Sequence, residues 1–439
     1  MDARKLLRWL DTRDPGFDRA FAAFESRRTA SLEEVDSVVA GIVDDVRQRG
    51  DAAVLDVIER VDGYRLTPGQ LEVTRAEIDA AAARLTDADR AAIERAADRV
   101  RRFHAHHVPA SWSFEDGTGR LGQLVRPLER VGIYAPAGQA PLASTVLMLA
   151  VPAAVAGVGE VVLATPGREL HPAMLWAASV AGVSRVFRIG GAQAIAALAY
   201  GTASVPRVDK IVGPGSNWVQ AAKRRVFGQV AIDAEAGPSE VLIVADAAAP
   251  VRFLAADLIA QAEHEERASV VLVTPSESCA REVCAELERQ LVGLPREAVA
   301  RQALREHGAV VCTRDLEEAF EIANRYAAEH LQVMVENPGR WLDRIRHAGA
   351  VFLGPSSPVP AGDYVAGPSH CLPTGGTARF FSVVGVEDFL RRTSLIELSE
   401  AGVRQVGAAG VRLAELEGLE GHARALRLRL DAPAGEPSD

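Results

Sequence analysis

The stretch that decides the fold runs from residue 185 to residue 200 and reads Arg-Val-Phe-Arg-Ile-Gly-Gly-Ala-Gln-Ala-Ile-Ala-Ala-Leu-Ala-Tyr. Its first five residues are a short, mostly apolar run that predicts a buried strand, and Gly190-Gly191 marks a tight turn. The alanine-rich segment after the turn predicts a helix. A strand that passes through a glycine turn directly into a helix is typical of parallel α/β sheets.

The same strand-to-helix unit recurs on both sides of this stretch. Short apolar runs predict strands at 160–164, 185–189, 210–212, 240–245, 270–274, 309–312, 332–335 and 350–353. Helical patterns lie between them at 172–181, 192–200, 219–227, 252–262, 280–291 and 316–327. This alternation predicts an α/β fold in which helices cover both faces of parallel sheet. The units form two blocks on either side of about residue 240, which favours two sheet domains.

Both ends of the chain have helical patterns. Ser31 and Glu34 form a capping box ahead of apolar residues on one helix face. Gly50 separates this helix from a second one, and a third helical stretch extends from about Ala76 to His107. The last forty residues are also predicted to be helical.

Composition excludes several classes of protein. The 439 residues include 49 Lys and Arg against 59 Asp and Glu, a formal net charge of −10, without a long basic block. We therefore expect no nucleic-acid partner, and we interpret Lys223-Arg224-Arg225 as a solvated helix face. Four cysteines without metal-type spacing favour a reduced, cytoplasmic setting. The apolar runs are too short for a signal peptide or a membrane span, so we expect no membrane partner.

Two glycine turns have the context of a nucleotide site. Gly190-Gly191 opens the helix that contains Gln193, and Gly213-Pro214-Gly215 follows the strand at 210–212. We expect both turns to present free backbone N–H groups at the carboxyl ends of neighbouring strands, where a pyrophosphate can bind. Either turn alone is more often a simple connection, but the two in succession predict a nucleotide site.

Several polar residues are candidates for metal binding. Gln261 and His264 lie three residues apart at a helix end, so they share one face. Asp363 lies in a segment that we expect to be a loop because it is rich in Gly and Pro, and fixed polar groups in loops often bind or react. The commoner explanations are a surface patch for the pair, a turn cap for Asp363 and an exposed histidine for His422.

The adjacent residues Glu329 and His330 are candidates for acid–base chemistry. They lie between the helix predicted at 316–327 and the strand predicted at 332–335. Histidine is a base near neutral pH, and a neighbouring carboxylate can orient or activate water. Adjacent Glu and His are also common by chance, so the pair alone decides nothing.

Together these fragments resemble the histidinol dehydrogenase family from about residue 30 to residue 430. The matching stretches occur in the family's order. They are Val131-Gly-Ile-Tyr-Ala-Pro-Ala-Gly138, Gly190-Gly-Ala-Gln-Ala-Ile-Ala-Ala-Leu-Ala-Tyr-Gly-Thr202, Lys210-Ile-Val-Gly-Pro-Gly215, Ala236-Gly-Pro-Ser-Glu-Val-Leu242, Gln261-Ala-Glu-His264, Glu329-His-Leu331, Gly362-Asp-Tyr364, Leu372-Pro-Thr-Gly-Gly-Thr-Ala-Arg-Phe380 and Glu417-Gly-Leu-Glu-Gly-His422.

The resemblance implies a set of site residues. One zinc ion per subunit is expected on Gln261, His264, Asp363 and His422, whose nitrogen and oxygen donors suit zinc. Glu329 and His330 are the implied catalytic residues. The implied NAD contacts are Tyr134, Gln193 and Ser216. Substrate contacts are implied at Ser239, Gln261, His264, His330, Asp363, His370, Glu417 and His422.

The resemblance also implies an architecture. Two incomplete Rossmann-like parallel-sheet domains are expected together with small helical N- and C-terminal domains, in an intertwined homodimer with shared active sites. Residues 30–133 with 242–384 form the first expected Rossmann-like domain, and residues 134–241 form the second. Residues 1–29 with 385–400 form an expected small helical domain, and residues 401–439 form a tail that reaches the partner subunit.

The implied reaction is the four-electron oxidation of the small molecule L-histidinol, via the aldehyde, to L-histidine with two NAD⁺, the last step of histidine biosynthesis. His330 handles the alcohol proton and Glu329 the water. Ser216 and Ser369 each replace a usual Asn, and Val359 replaces a usual Glu. These departures leave two alternatives open: a related zinc- and NAD-dependent dehydrogenase that oxidises another alcohol or diol to a carboxylate, and a non-catalytic zinc-binding descendant.

Overall fold

The computed structural model describes residues 6–28, 33–137, 141–234 and 237–432, so Ser31 of the predicted capping box lies outside the described residues. The strands are β1 (Arg8–Asp11), β2 (Trp112–Glu115), β3 (Gly119–Pro127), β4 (Arg130–Tyr134), β5 (Glu160–Ala164), β6 (Arg185–Phe187), β7 (Lys210–Val212), β8 (Ala231–Ile232), β9 (Glu240–Ala245), β10 (Ser269–Thr274), β11 (Gly308–Cys312), β12 (His330–Met334), β13 (Ala350–Leu353) and β14 (Leu390–Leu398). The helices are α1 (Phe17–Glu25), α2 (Glu33–Arg49), α3 (Asp51–Val57), α4 (Arg75–Ala82), α5 (Asp87–Ala105), α6 (Ala143–Ala156), α7 (Pro172–Ala181), α8 (Gly191–Tyr200), α9 (Asn217–Val226), α10 (Val251–Ala262), α11 (Glu277–Leu291), α12 (Glu297–His307), α13 (Leu316–Tyr326), α14 (Val359–Tyr364), α15 (Glu400–Leu416) and α16 (Glu420–Leu430).

These elements fall into two compact units. The larger unit combines residues 1–107 with 129–389, and the smaller one combines residues 108–128 with 390–439. The larger unit holds both parallel sheets, so the boundary predicted between two Rossmann-like domains stays a prediction. The smaller unit contains the antiparallel sheet β14-β3-β2 and the packed helix pair α15 and α16.

The first parallel sheet has six strands in the order β1-β11-β10-β9-β12-β13. Strands β9 to β12 are buried along their whole lengths, which is typical of strands covered on both faces. Successive side chains point to opposite faces. Val241 and Ile243 therefore join a cluster with α10, α11 and α12, whereas Leu242 and Val244 join one with α1 and α13.

The second parallel sheet has five strands in the order β6-β5-β4-β7-β8. The chain runs from β4 outward to β5 and β6, and then returns to the other side of β4 as β7. This reversal makes a topological switch point between β4 and β7, the position at which open α/β sheets bind ligands. Helices α2, α3, α8 and α9 contribute to the core cluster that also contains residues of β4, β5 and β7.

The predicted α/β class with two parallel sheets is confirmed, although details differ. Segment 385–400, expected to be helical, is largely β14, which pairs with β3 from Leu390↔Pro127 to Leu398↔Gly119. Its backbone bonds are made to a chain segment far away in sequence, and such pairing overrides local propensity. Strand β1 likewise places part of segment 1–29 in the six-stranded sheet. Among the described residues, no helix is long and apolar enough to cross a membrane.

Truncation of Leu272 tests the core of the six-stranded sheet. Leu272 lies on β10 and is 0% exposed, whereas Leu342 is 48% exposed. We expect Leu272→Ala to lower the free energy of unfolding by about 2–5 kcal/mol, because it removes buried apolar contacts and leaves a cavity. Leu342→Ala is the control and should change it by less than about 0.5 kcal/mol. Equal effects in chemical denaturation would contradict the assigned core.

Candidate active site

The pair Glu329 and His330 lies where α13 turns into β12. The helix ends at Tyr326, and Ala327 adopts a left-handed conformation with φ 50°, which redirects the chain. His330 is the first residue of β12, and Glu240 is the first residue of the adjacent β9. The pair therefore lies at the amino edge of the six-stranded sheet.

The main chain of Glu240 holds both side chains of the pair. Its N–H donates to Glu329 Oε2 over 2.7 Å, and its carbonyl oxygen lies 2.8 Å from His330 Nδ1. Since a carbonyl can only accept, Nδ1 carries the proton and Nε2 of the neutral ring carries a lone pair. His330 Nε2 has no hydrogen-bond partner among the residues that the structure describes, and it lies 3.9 Å from Asp363 Oδ1.

Burial shifts the pKa values of the pair in opposite directions. Glu329 and His330 are 6% and 4% exposed. Desolvation lowers the pKa of His330 to about 4, and nearby His264 and His370 contribute to the lowering. Desolvation also raises the pKa of Glu329 well above its usual value, with repulsion from neighbouring carboxylates adding to the effect. His330 is thus neutral at pH 7 and can accept a proton, and Glu329 has a strong affinity for one.

Three of the four predicted zinc ligands lie on elements around His330. Gln261 is buried near the end of α10, and neither its amide oxygen nor its amide nitrogen has a partner in the described part of the chain. His264 follows just beyond that helix end and is exposed, although desolvation by the surrounding protein lowers its pKa. Asp363 lies on α14, which packs against α10. The expectation that Asp363 lies in an irregular loop was wrong, because residues 359–364 form this short helix after Pro358.

The fourth predicted ligand, His422, belongs to the smaller unit. It lies in the first turn of α16, and Glu417 follows α15; both side chains are exposed. Within residues 6–28, 33–137, 141–234 and 237–432, the structure gathers no group of three or more His, Cys, Asp or Glu side chains that could hold a metal ion. The complete zinc set therefore stays a prediction.

A cavity of about 460 Å³ opens beside His330. His330, Asp363, Ser369 and His370 line it together with mostly apolar residues. His370 Nδ1 donates to the Asp363 carbonyl oxygen over 2.9 Å, and its Nε2 lies 3.1 Å from Thr145 Oγ1. Burial lowers the pKa of His370 to about 4 and raises the pKa of Asp363 to about 6. The cavity therefore presents a neutral imidazole at His370 and a carboxyl at Asp363 whose pKa is raised by burial.

Ser239, a predicted substrate contact, lies next to this arrangement. It immediately precedes Glu240, and its N–H donates to Glu265 Oε1 over 3.4 Å. Its carbonyl oxygen accepts from Ser269 N on β10. The main chain of Ser239 is therefore fixed at the start of β9.

The predicted NAD contacts lie at the carboxyl edge of the five-stranded sheet. Tyr134 ends β4, and its hydroxyl accepts from Gly191 N over 3.2 Å. Gln193 is buried, and its side chain folds back over that turn. The Gln193 Oε1 atom lies so close to Gly191 that a Cβ added there would be 2.8 Å from it. Ser216 is the exposed N-cap residue of α9.

Two expectations about this edge are corrected. The glycine turns do not follow neighbouring strands, since β5 and β4 lie between β6 and β7. Their N–H groups are not all free, because Gly213 N donates to Asp233 Oδ2 over 2.7 Å and Gly191 N is bonded to Tyr134. Both turns nevertheless contact Tyr134. Gly191 N donates to its hydroxyl, and Gly213 lies so close to its carbonyl oxygen that an added Cβ would be only 2.2 Å away.

Lys223 is not on a solvated helix face, as the sequence interpretation had it. It is 0% exposed, and its Nζ contacts Asp233 and donates to the carbonyl oxygens of Gly213 (3.0 Å) and Ala234 (3.1 Å). The spacing contained a signal, because Val219 and Val226 lie four residues before and three after it, on the same helix face. The role of Glu240 was also not predicted from the sequence. Its signal is a carboxylate at the start of an otherwise apolar strand.

The fold and this site define an α/β enzyme with a buried carboxyl–imidazole pair. The family model for histidinol dehydrogenase matches residues 25–430. A histidinol dehydrogenase of Geobacter metallireducens is 50% identical over 428 residues, covering 97% of this chain and 98% of that protein. One from Thermus thermophilus is 50% identical over 408 residues, covering 93% and 98%. The crystal structure of histidinol dehydrogenase from Elizabethkingia anophelis has a TM-score of 0.92 at 35% identity, covering 97% and 98%. The chain belongs to the histidinol dehydrogenase family.

Replacement of Glu329 tests the burial of its carboxyl. Its pKa is higher in the folded than in the unfolded chain, where it is near 4.5. The folded protein therefore holds the proton more tightly, and stability falls as pH rises above the unfolded value. In metal-free protein, Glu329→Gln should raise the melting temperature relative to the unaltered protein more at about pH 8 than at about pH 5.

The matched control is Glu321→Gln, on the exposed side of α13. Its effect on the melting temperature should be small and the same at both pH values. A Glu329→Gln effect that does not depend on pH, or that is destabilising at the higher pH, would contradict the raised pKa.

Proposed function

We propose that this protein oxidises L-histidinol, via the aldehyde, to L-histidine in the last step of histidine biosynthesis. The observation that carries the proposal is the state of His330. Its ring is neutral, its Nδ1 is fixed by the Glu240 carbonyl, and its unpartnered Nε2 lies beside Asp363 at a cavity that both residues line. This arrangement supplies a general base at the place where a small alcohol fits.

His330 Nε2 would accept the hydroxyl proton of the alcohol in the first oxidation. Glu329 serves the hydration of the aldehyde, because a carboxyl with a raised pKa is a stronger base toward water than an ordinary carboxylate. The hydrogen bond from Glu240 N fixes one of its oxygens and leaves the other for water. Once His330 has released its first proton to solvent, it accepts a second one from the hydrated aldehyde in the second oxidation.

The residues fit the two cofactors that the family implies. Buried polar atoms are normally paired, so the two unpartnered amide atoms of Gln261 call for a ligand that the chain does not supply. Gln261, His264, Asp363 and His422 would hold one zinc ion, which orients the substrate when bound. Tyr134, Gln193 and Ser216 would hold NAD, which accepts the hydride in each oxidation.

Ser239, His370 and Glu417 complete the proposed substrate contacts. The side chains at the two positions that suggested another alcohol as substrate are both engaged within the protein, although Ser369 also lines the cavity. Val359 is buried in the apolar cluster of α10 to α12, and the Ser369 hydroxyl donates to Met148 O over 3.1 Å. L-Histidinol is therefore the substrate we propose.

A steady-state assay with L-histidinol and NAD⁺ tests the reaction. We expect two NADH per L-histidinol consumed, with L-histidine as the product, because the four-electron oxidation delivers one hydride to each of two NAD⁺. Chelation should abolish turnover, and added Zn²⁺ should restore it. One NADH per substrate, or full activity in verified metal-free protein, would contradict the proposal.

We also propose that the active protein is a cytoplasmic homodimer with shared sites. The smaller unit exposes large apolar side chains, among them Trp112, Phe114 and Ile396, and exposed apolar patches mark interaction surfaces. A second copy of the chain would cover them and would bring Glu417 and His422 of the partner subunit to the site. The four free cysteines support a reducing compartment.

Mixing of inactive variants tests the sharing of sites. Glu329→Gln and His422→Gln subunits, unfolded and refolded together, should regain activity, because each mixed dimer assembles one site with both native residues. Random pairing predicts recovery to about a quarter of the unaltered activity. Glu329→Gln mixed with His330→Gln is the control and should regain none, since both residues come from the same subunit. No recovery in the first mixture would contradict the shared site.

A further inference from the structure

Arg28 and Glu240 form an ion pair that is almost completely shielded from solvent. The two residues are 7% and 1% exposed. Arg28 Nε and one terminal nitrogen donate to the two Glu240 carboxylate oxygens over 2.7 and 2.6 Å, a bidentate arrangement. Glu240 Oε1 also accepts from Gly375 N over 3.1 Å. A buried ion pair is often no more stabilising than apolar residues of similar size, so its presence invites a functional explanation.

Arg28 also binds the end of the helix that leads to the catalytic pair. Its other terminal nitrogen donates to the Tyr326 carbonyl oxygen over 2.7 Å, and its guanidinium stacks on the Tyr326 ring at 3.5 Å. Tyr326 is the last residue of α13, three residues before Glu329. The Tyr326 ring is fixed in turn by its hydroxyl, which lies 2.7 Å from Ser269 Oγ.

Glu240 holds the same pair from the neighbouring strand. The β9–β12 ladder begins at Val241, opposite His330, so Glu240 precedes it by one residue. Its main-chain N–H and C=O bind the side chains of Glu329 and His330. Arg28 therefore joins the two segments whose relative position sets the geometry of the pair, the start of β9 and the end of α13.

We propose that Arg28, through Glu240, is a positioning residue for catalysis: the ion pair keeps the Glu240 peptide where it fixes the tautomer of His330 and the orientation of Glu329. This inference rests on the proposed function. Neither Arg28 nor the Glu240 side chain lines the cavity. Both therefore act on Glu329 and His330 through the main-chain N–H and C=O of Glu240. Loss of the ion pair should lower kcat and leave substrate binding nearly unchanged.

The test uses the full-length, zinc-loaded protein and the double variant Arg28→Met/Glu240→Gln. The double variant leaves no buried charge without a partner, and the amide oxygen at position 240 can still accept from Gly375 N, so we expect it to fold. We expect kcat with L-histidinol to fall by about tenfold to a hundredfold, the effect of a small misplacement of catalytic groups. The KM for L-histidinol should change by less than about threefold. Should the double variant not fold, Arg28→Lys keeps the charge balance but cannot form the bidentate contact with Glu240, and the same fall is expected.

A second measurement does not depend on turnover. In ¹⁵N-histidine-labelled protein, the Nδ1–H signal of His330 is assigned by its absence in His330→Gln. We expect a slowly exchanging signal in the unaltered protein and a weakened or averaged one in the variant. A variant with unaltered kcat, or with lower kcat and an unchanged signal, would overturn the proposal. If the unaltered protein does not oxidise L-histidinol, the proposed function fails, while this signal still decides the role of Arg28.

Arg325 provides the matched control. It adjoins Tyr326, pairs with Asp18 (2.7 Å) and Glu25 (3.0 Å), and lies over the Phe21 ring at 4.8 Å. Its ion pairs and its cation–π contact resemble those of Arg28, but they do not involve Glu240. Arg325→Met should leave both kcat and the His330 signal unchanged. If it lowered kcat as much as the Arg28 variant does, the effect of Arg28 would be due to a general loosening of α13.

Discussion

The parallel pairing of β9 with β12 is the constraint on which the candidate site depends. The ladder starts at Val241 and His330, so the peptide groups of Glu240 remain available at its amino end. These peptide groups hydrogen-bond to the Glu329 carboxyl and the His330 imidazole instead of to the backbone of a neighbouring strand. Any shift of register would remove both hydrogen bonds at once. The buried core on both faces of the sheet opposes such a shift, so the stability of the core secures the geometry of the site.

The site combines groups that are costly to bury. Glu329, Asp363, His330 and His370 all have pKa values displaced toward their neutral forms, and desolvation is the main cause for each. A protein selected only for stability would place apolar side chains here. Perturbed groups beside a cavity are typical of active sites, because the same exclusion of water that raises their cost strengthens their interactions with a substrate.

Much of the fold could be predicted from the sequence, because strands covered on both faces appear as short apolar runs between helices. The antiparallel sheet could not, since β3 and β14 are more than 260 residues apart and β3 is the only strand that pairs with β14 in the described part of the chain. Glu329 and His330 could be singled out as residues, but the direction in which Nδ1 is held depends on the main chain of another strand. Lys223 is a different case: its charge suggested solvent, although apolar neighbours at helical spacing already indicated burial.

The buried ammonium of Lys223 has a consequence for the Gly213-Pro214-Gly215 turn. Its Nζ donates to the Gly213 carbonyl oxygen, while the Gly213 N–H donates to Asp233 Oδ2. The turn therefore has its conformation without a ligand, and it owes that conformation in part to a charge that is buried on α9. A ligand that bound at this turn would not have to order it, so it would lose little conformational entropy on binding. Affinity at this edge is in part a property of the unliganded protein.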